Sequence, residues 1–202
     1  MSARVFLLSP ATCGGERAQL VLSPRASFPL ARQLRTADGA PLGEVFSFLS
    51  GLYFRGKLAY ARAFAAPPPA LPGVLVITPA EGLRPPEVPL TLAGLRAAAR
   101  VDIHVDNRRY RRPLERDARA LAAALPPETE IVLLGSIATD KYLAPLGEVF
   151  GERLAYPLDF AGRGDMSRGA LLLRCVAARS ELAYAPASSV TRRARTVVPG
   201  RG

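Results

Sequence analysis

A glycine- and arginine-rich stretch at 162–169 has the residue types of an anion-binding loop. Three glycines, two arginines, an aspartate and a serine fall within its eight residues, and an apolar run follows directly. The apolar run predicts a helix, which Asp165 or Ser167 would cap. A helix N-terminus presents free N–H groups, so Arg163 and Arg168 beside it indicate an anion site. An ordinary loop with a capped helix is the alternative.

A second candidate loop follows the buried apolar run at 130–135, which predicts a strand. Ser136 and Thr139 come after that run, and Lys141 falls in the first turn of the next predicted helix. A strand end that leads into a helix start resembles a small cradle for phosphate or carboxylate. The P-loop pattern G-x-x-x-x-G-K-[ST] is absent.

The loop at 9–17 supplies a third set of candidates after the first predicted strand. Gly14 would let the backbone approach a ligand, and Arg17 would supply a cation. Cys13 would be a nucleophile only if its surroundings lowered the pKa of the thiol. Its alternative is a small residue packed under the loop.

The segment 42–65 has the apolar spacing of helices, and Ser50–Gly51 divides it into two. Arg55 and Lys57 come near the start of the second helix, where positive charge opposes the helix dipole. That arrangement would suit a bound anion. The apolar face of the segment would equally suit a partner protein, if it were exposed.

Three carboxylates are candidates for a general acid or base, namely Asp165, Asp159 and Glu44. A carboxylate in an arginine-rich cleft stays ionised, which suits a base. For Asp165 the alternative is a helix cap paired with an arginine. Two cysteines and one histidine offer no metal-binding spacing, so neither a metal nor a cofactor is expected.

Apolar runs that alternate with helical patterns predict the fold class. The predicted strands are 4–8, 73–78, 101–106, 130–135, 153–156 and 181–185. The pattern predicts an α/β three-layer sandwich with a mostly parallel sheet of about five strands. We expect one domain over 1–186 and a basic, flexible tail over 187–202. In such sheets ligands bind at the carboxyl ends of the strands, where the candidate loops fall.

The net charge of +10 fits a partner that is nucleic acid or another polyanion. Only Lys57 and Lys141 of the 27 basic residues are lysine, so the codon bias of a GC-rich genome explains the charge equally well. The cluster 107–112 holds four arginines around one tyrosine, and it would either grip phosphates or form a solvated loop. No apolar run approaches the roughly 20 residues of a membrane span, so no membrane contact is expected. The two cysteines cannot build a disulfide scaffold, so a reducing cytoplasm is the expected location.

Three segments resemble the YaaA-like group of bacterial proteins. Residues 51–61, Gly-Leu-Tyr-Phe-Arg-Gly-Lys-Leu-Ala-Tyr-Ala, look like its segment S-P-L-F-x-K-x-x-A-Y-A. Residues 74–83 are similar to its Leu-Ser-Ala-Lys-Tyr-Gly-Leu strand and turn, and residues 5–10 to its first strand. Ala80 and Glu81 depart from the group, which has a lysine and an aromatic residue there, so these positions inherit no role. The resemblance implies relatives linked to peroxide stress and DNA binding, and handling of nucleotides or nucleic acids.

The sequence thus predicts a ligand-binding or enzymatic domain that acts on a phosphate-bearing nucleotide or nucleic acid at the carboxyl edge of the sheet. The alternatives are a non-catalytic DNA- or RNA-binding protein and a partner-binding subunit without a ligand. Whether the protein is an enzyme, and its oligomeric state, stay open. The predicted ligand-binding residues are Cys13, Gly14, Arg17, Arg55, Lys57, Ser136, Thr139, Lys141, Arg163, Ser167 and Arg168.

Overall fold

The computed structural model describes residues 3–137 and 139–189, which form eight strands and eight α-helices within those ranges. The strands are β1 Arg4–Leu8, β2 Ala40–Pro41, β3 Val74–Thr78, β4 Gly82–Arg84, β5 Pro89–Leu90, β6 Glu130–Leu134, β7 Leu154–Pro157 and β8 Tyr184–Pro186. The helices are α1 Glu16–Leu22, α2 Pro29–Gln33, α3 Leu42–Ser50, α4 Leu52–Phe64, α5 Leu92–Ala99, α6 Arg108–Ala124, α7 Asp140–Phe150 and α8 Asp165–Ala178.

A six-stranded, mostly parallel sheet forms the centre of this α/β fold. Its strand order is β4-β3-β1-β6-β7-β8, with the four middle strands parallel and the two edge strands antiparallel. β2 and β5 pair separately as a small ribbon. The parallel strands are continuous apolar runs because both of their faces are buried. The sheet has six strands where the sequence predicted about five, and β4 is the one that was not among the predicted strands.

Side chains of each central strand alternate between two hydrophobic clusters. Phe6 and Leu8 of β1 join a cluster with residues of α1, α3, α4 and α8. Val5 and Leu7 join another cluster with residues of α6 and α7. Helices therefore pack around the sheet, and each cluster takes every second residue of the strand, as the strand period of two requires.

The strand predicted at 101–106 is wrong, because this segment is a loop between α5 and α6. The end of this loop forms hydrogen bonds that stabilise the start of α6. Asn107 accepts a hydrogen bond from the backbone N–H of Arg109 and donates one to the carbonyl of Asp102, at 3.1 and 2.6 Å. The basic cluster 107–112 is therefore the N-terminal end of a helix and not a loop, and His104 lies exposed before it.

The helices predicted within 42–65, at Lys141 and after the 162–169 stretch are confirmed as α3, α4, α7 and α8, but two predicted caps are not. Gly51, with φ of 61°, separates α3 from α4, and Thr91 caps α5 by accepting from the N–H of Gly94 at 3.2 Å. At α8 the cap position is Gly164, with no side-chain cap, and Asp165 is the first helical residue. Neither Asp165 nor Ser167 therefore caps that helix.

Of the predicted tail, residues 190–202 lie outside the described residues. Within the described ranges, no helix is both long and apolar enough to cross a membrane.

Candidate functional site

The carboxyl ends of β1 and β6 adjoin in the middle of the sheet, and the chain leaves them toward opposite faces. After β1 it enters α1, which packs in the cluster that contains Phe6. After β6 it enters α7, which packs in the cluster that contains Val5. Such a switch point is where open α/β sheets bind ligands.

A cleft of about 460 Å³ opens at this switch point. Its walls are the loop 10–14 after β1, Pro79 after β3, the segment 98–103, and Lys141 and Tyr142 of α7. The hydroxyl of Tyr110 on α6 donates to the carbonyl of Lys141 at 2.9 Å and so fixes the start of α7. The structure thus brings Cys13, Gly14 and Lys141, three of the predicted ligand-binding residues, to one cleft.

Cys13 is a neutral thiol in this cleft. Its Sγ donates to the carbonyl of Ala11 at 3.5 Å, and its side chain is buried under the loop. Burial raises the pKa of the Cys13 thiol to about 12. The condition for a nucleophilic cysteine, a lowered pKa, is therefore not met here.

Lys57 lies in the core, next to the end of β1. Its Nζ donates to the carbonyl oxygen of Ser9 at 2.6 Å and contacts Ser9 Oγ at 2.8 Å. The ammonium lies over the rings of Tyr53 and Phe54, 4.5 and 4.9 Å from their centroids. The side chain is 1% exposed, and this desolvation lowers the pKa of Lys57 to about 7.

Helices α4 and α8 cross closely enough to bring a second group of polar side chains toward Lys57. A Cβ on Gly56 would lie 2.7 Å from the carbonyl oxygen of Gly169, so both backbones touch. Burial raises the pKa of Tyr53 to about 12, with the charge of Arg168 lowering it and that of Asp165 raising it. For Lys57 the charge of Asp165 opposes burial, which lowers the pKa. The Tyr53 hydroxyl is buried and has no hydrogen-bond partner among the described residues.

The two arginines of the 162–169 stretch have different roles in the structure. Arg168 is buried, and its Nε and Nη2 donate to the carbonyl of Phe160 at 3.2 and 3.0 Å, while Nη1 lies 3.5 Å from Asp165. Arg163 is exposed and donates to Ser167 Oγ at 3.2 Å. Arg168 therefore fixes the turn before α8, and Arg163 lies on the surface.

Arg17 and Arg55 lie at the junction of α3 and α4, away from the cleft that Lys141 lines. Arg17 donates to the carbonyl of Phe48 at 3.1 Å, and both arginines line a surface cavity of about 710 Å³. Arg55 also lines a cavity of about 530 Å³ together with Glu44. The predicted cations Arg17 and Lys141 therefore line different cavities.

The remaining predicted residues lie near the same edge of the sheet. Ser136 is half-buried and is the second residue after β6. Thr139 is the exposed cap residue of α7, where its side chain makes no cap hydrogen bond. Asp159 lies exposed in a short 3₁₀ turn, and after burial its charge is the next cause that raises the pKa of Cys175. No group of three or more His, Cys, Asp or Glu in the described part of the chain could hold a metal ion.

Sequence reasoning missed Ser9, Tyr53 and Tyr142 as site residues. Ser9 carried a signal as the first residue after a buried strand, and Tyr53 carried one as the residue four positions before Lys57 on the same helix face. Tyr142 follows Lys141 directly and lines the same cleft.

A scan against protein-family models, a search of curated proteins and a search of solved structures each found nothing that matches this chain. The resemblance to the YaaA-like group therefore stays a prediction, and the geometry of the site carries the functional argument.

Proposed function

We propose that the cleft at the switch point binds a phosphate-bearing ligand of the nucleotide class. One observation carries the proposal, namely that Lys141 lines the cleft from the first turn of α7, where the helix also presents its free N–H groups. The volume of about 460 Å³ suits a small ligand, since ligand sites commonly measure about 300–1,000 Å³.

The charges and surfaces of the walls support this ligand class. Arg100 and Lys141 supply two positive charges, against the carboxylate of Asp102. Pro79 and the ring of Tyr142 supply apolar surface of the kind that a nucleobase contacts. The resemblance of residues 51–61 to the YaaA-like group favours a nucleotide over other anions.

The fold supports the same location. We infer a three-layer sandwich, with α1–α5 and α8 on one face of the sheet and α6 and α7 on the other, from the two clusters that the strands separate. In that architecture the carboxyl edge of the sheet is the usual ligand site.

Thermal unfolding with added nucleotides tests the proposal. A nucleoside phosphate at 100 times its Kd stabilises the fold by about 2.7 kcal/mol, which raises Tm by about 5–10 °C. Lys141→Met removes the ammonium but keeps the stem, and we expect it to weaken binding about 10-fold or more, as for the loss of a charged hydrogen bond. Arg25→Met removes one charge from an exposed position outside the cleft, and we expect it to bind as wild type. No shift with any nucleotide or inorganic phosphate, or equal binding by Lys141→Met, would contradict the proposal.

A nucleic-acid interface on α6 is the second candidate function. Arg108, Arg109 and Arg112 are exposed, and none of them makes an ion pair with another described residue. Arg111 differs, because Glu115 and Glu148 hold it. This location is favoured over other basic parts of the surface because three unpaired arginines lie within one and a half turns of a single helix.

A partner-binding subunit has less support from the structure. The apolar residues of 42–65 that would form its interface are in the core, among them Val45, Phe46 and Phe54.

A further inference from the structure

Ser9 and Lys57 form a buried pair that the ligand cleft does not include. Ser9 is the first residue after β1, and its Oγ lies 2.8 Å from Nζ of Lys57 on α4. The same Nζ is held by the carbonyl oxygen of Ser9 at 2.6 Å. A hydroxyl in hydrogen-bond contact with an amine that a third group orients is the arrangement of an activated nucleophile and its base.

We propose that Ser9 and Lys57 are a nucleophile–base dyad for acyl transfer, with a small carboxylic ester as the class of substrate. The proposal adds an activity to the protein and does not rest on nucleotide binding in the cleft.

The position of Lys57 suits a base. In the neutral form its amine donates to the Ser9 carbonyl, so its lone pair is left to accept the proton of Ser9 Oγ–H. Burial against Tyr53 and Phe54 lowers the pKa of Lys57 to about 7, so much of the amine is neutral near physiological pH. A general base works best when its pKa lies near the working pH.

The chemistry balances without a metal or a redox partner. Ser9 Oγ attacks the ester carbonyl carbon and passes its proton to Lys57 Nζ, and the carbonyl oxygen takes the negative charge. When the carbonyl re-forms, the bond to the alkoxy group breaks, and Lys57 returns the proton to the departing alcohol. Water then attacks the acyl-serine, again giving its proton to Lys57, which hands it to Ser9 as the carboxylic acid leaves.

The surroundings of Ser9 limit the size of the acyl group. The side chains of Ser9 and Lys57 are 5% and 1% exposed, so only a small, uncharged electrophile would reach them. Pro10, the next residue, lines the cleft, so we expect an electrophile to approach Ser9 from the cleft. Gly135 packs directly against Ser9, because a Cβ there would lie 2.9 Å from Ser9 Cβ and 3.2 Å from Ser9 Oγ, so a larger residue would close this side of the hydroxyl. A further buried hydroxyl belongs to Tyr53, which shares the Lys57 face of α4 and feels the charge of Arg168.

Labelling with diisopropyl fluorophosphate, a small electrophile that serine nucleophiles capture, tests the dyad. We expect peptide mass spectrometry to find the phosphoryl group on Ser9, and the labelling rate to rise with pH around a midpoint near the Lys57 pKa of about 7. Ser9→Ala should abolish labelling, and Lys57→Met should slow it about 100-fold or more, as for loss of a general base. The rate of p-nitrophenyl acetate hydrolysis should likewise be highest for wild type, lower for Lys57→Met and absent for Ser9→Ala.

One control variant and the pH profile separate the dyad from other causes of labelling. Ser27→Ala changes an exposed serine in another loop and should label as wild type. Folded wild-type protein that shows no label on Ser9 across the pH range would overturn the dyad. Labelling of Ser9 at a rate independent of pH would overturn Lys57 as the base, even if Lys57→Met did not fold. Neither result bears on nucleotide binding in the Lys141 cleft, which the thermal unfolding experiment tests on its own.

Discussion

The burial of Lys57 has an energetic cost that depends on pH. Its amine has hydrogen bonds to Ser9 and contacts with two aromatic rings, but no carboxylate forms an ion pair with it within the described part of the chain. An ammonium without a counter-ion is expensive to bury, so the folded protein favours the neutral amine.

We expect the free energy of unfolding to rise with pH above neutrality because of Lys57. Its pKa is about 7 in the folded state and near 10.5 when unfolded, so the unfolded chain binds more protons between these values. Stability from this residue therefore rises by at most about 1.4 kcal/mol per pH unit above pH 7, and it levels off below pH 7. Urea unfolding of wild type and Lys57→Met, at intervals between those two pKa values, isolates the contribution.

Comparison with Arg25→Met separates this effect from the general loss of a positive charge. That variant should keep the wild-type pH dependence of stability, whereas Lys57→Met should lose part of it. Parallel curves for wild type and Lys57→Met would show that the buried amine stays charged in the folded protein.

The sequence indicated that Lys57 was unusual but not where it lies. Tyr53, Phe54 and Lys57 fall on one face of α4 by the helical repeat, so a buried position could have been predicted from the apolar neighbours. The contact with Ser9 could not, because 48 residues separate the pair and only the packing of α4 on the end of β1 brings them together.

The crossing of α4 and α8 depends on two glycines that face each other. A Cβ on Gly169 would lie 2.8 Å from the carbonyl oxygen of Leu52, and one on Gly56 would lie 2.7 Å from that of Gly169. Backbone atoms cannot yield as a flexible side chain can, so any larger residue must push the helices apart.

Gly56→Ala and Gly169→Ala should therefore each lower the free energy of unfolding by about 1–3 kcal/mol, the range for overpacking. Gly147→Ala is the matched control, because it also lies inside a helix but a Cβ there meets no atom within 4 Å. That variant should gain about 0.5–1 kcal/mol from the helix preference of alanine. Equal effects at all three positions in denaturant unfolding would refute the close crossing.

Elements with one dominant local signal could be predicted, and those set by tertiary context could not. The apolar runs of β1, β3 and β6 predict strands because a strand buried on both faces leaves no other composition. Residues 101–106 alternate between apolar and polar side chains as a strand does. They pair with no strand of the sheet, and they form the loop that leads into α6. That helix runs through Pro113, and Tyr110 and Leu114 share its buried face.

The arginines of this molecule fall into two groups, those that form ion pairs and those that do not. Arg4, Arg111 and Arg168 are tied into ion pairs, whereas Arg108, Arg109 and Arg112 point outward from α6 without one in the described ranges. Arginines at a helix N-terminus oppose its dipole, so they gain nothing there for folding.

If α6 binds nucleic acid, replacing Arg108, Arg109 and Arg112 together by alanine should reduce the salt dependence of binding. Loss of three phosphate contacts lowers the slope of log K against log salt by about 2–3. Fluorescence anisotropy with a labelled duplex, measured over a salt series, gives this slope. The matched control replaces Arg25, Arg32 and Arg174, which are exposed on other elements. Equal slopes for both triple variants would contradict an interface on α6, because the salt dependence would then come only from the net charge of the protein.

The sequence predicted a mostly parallel sheet but not its order. Alternation of strands and helices makes neighbouring strands parallel, yet it does not say which strand is central. The position of β1 between β3 and β6 decides that Ser9, Gly135 and Lys141 lie at one edge, and it follows from pairings distant in sequence.

The central position of β1 also determines when the sheet can form during synthesis of the chain. β1 leaves the ribosome well before its partner β6, since Arg4 and Glu130 are 126 residues apart. Such long-range parallel pairing closes a large loop and forms slowly. Ser9 reaches Gly135, and the cleft acquires its Lys141 wall, only after β6 and the residues behind it have been synthesised, so a nascent chain that lacks β6 also lacks the complete cleft.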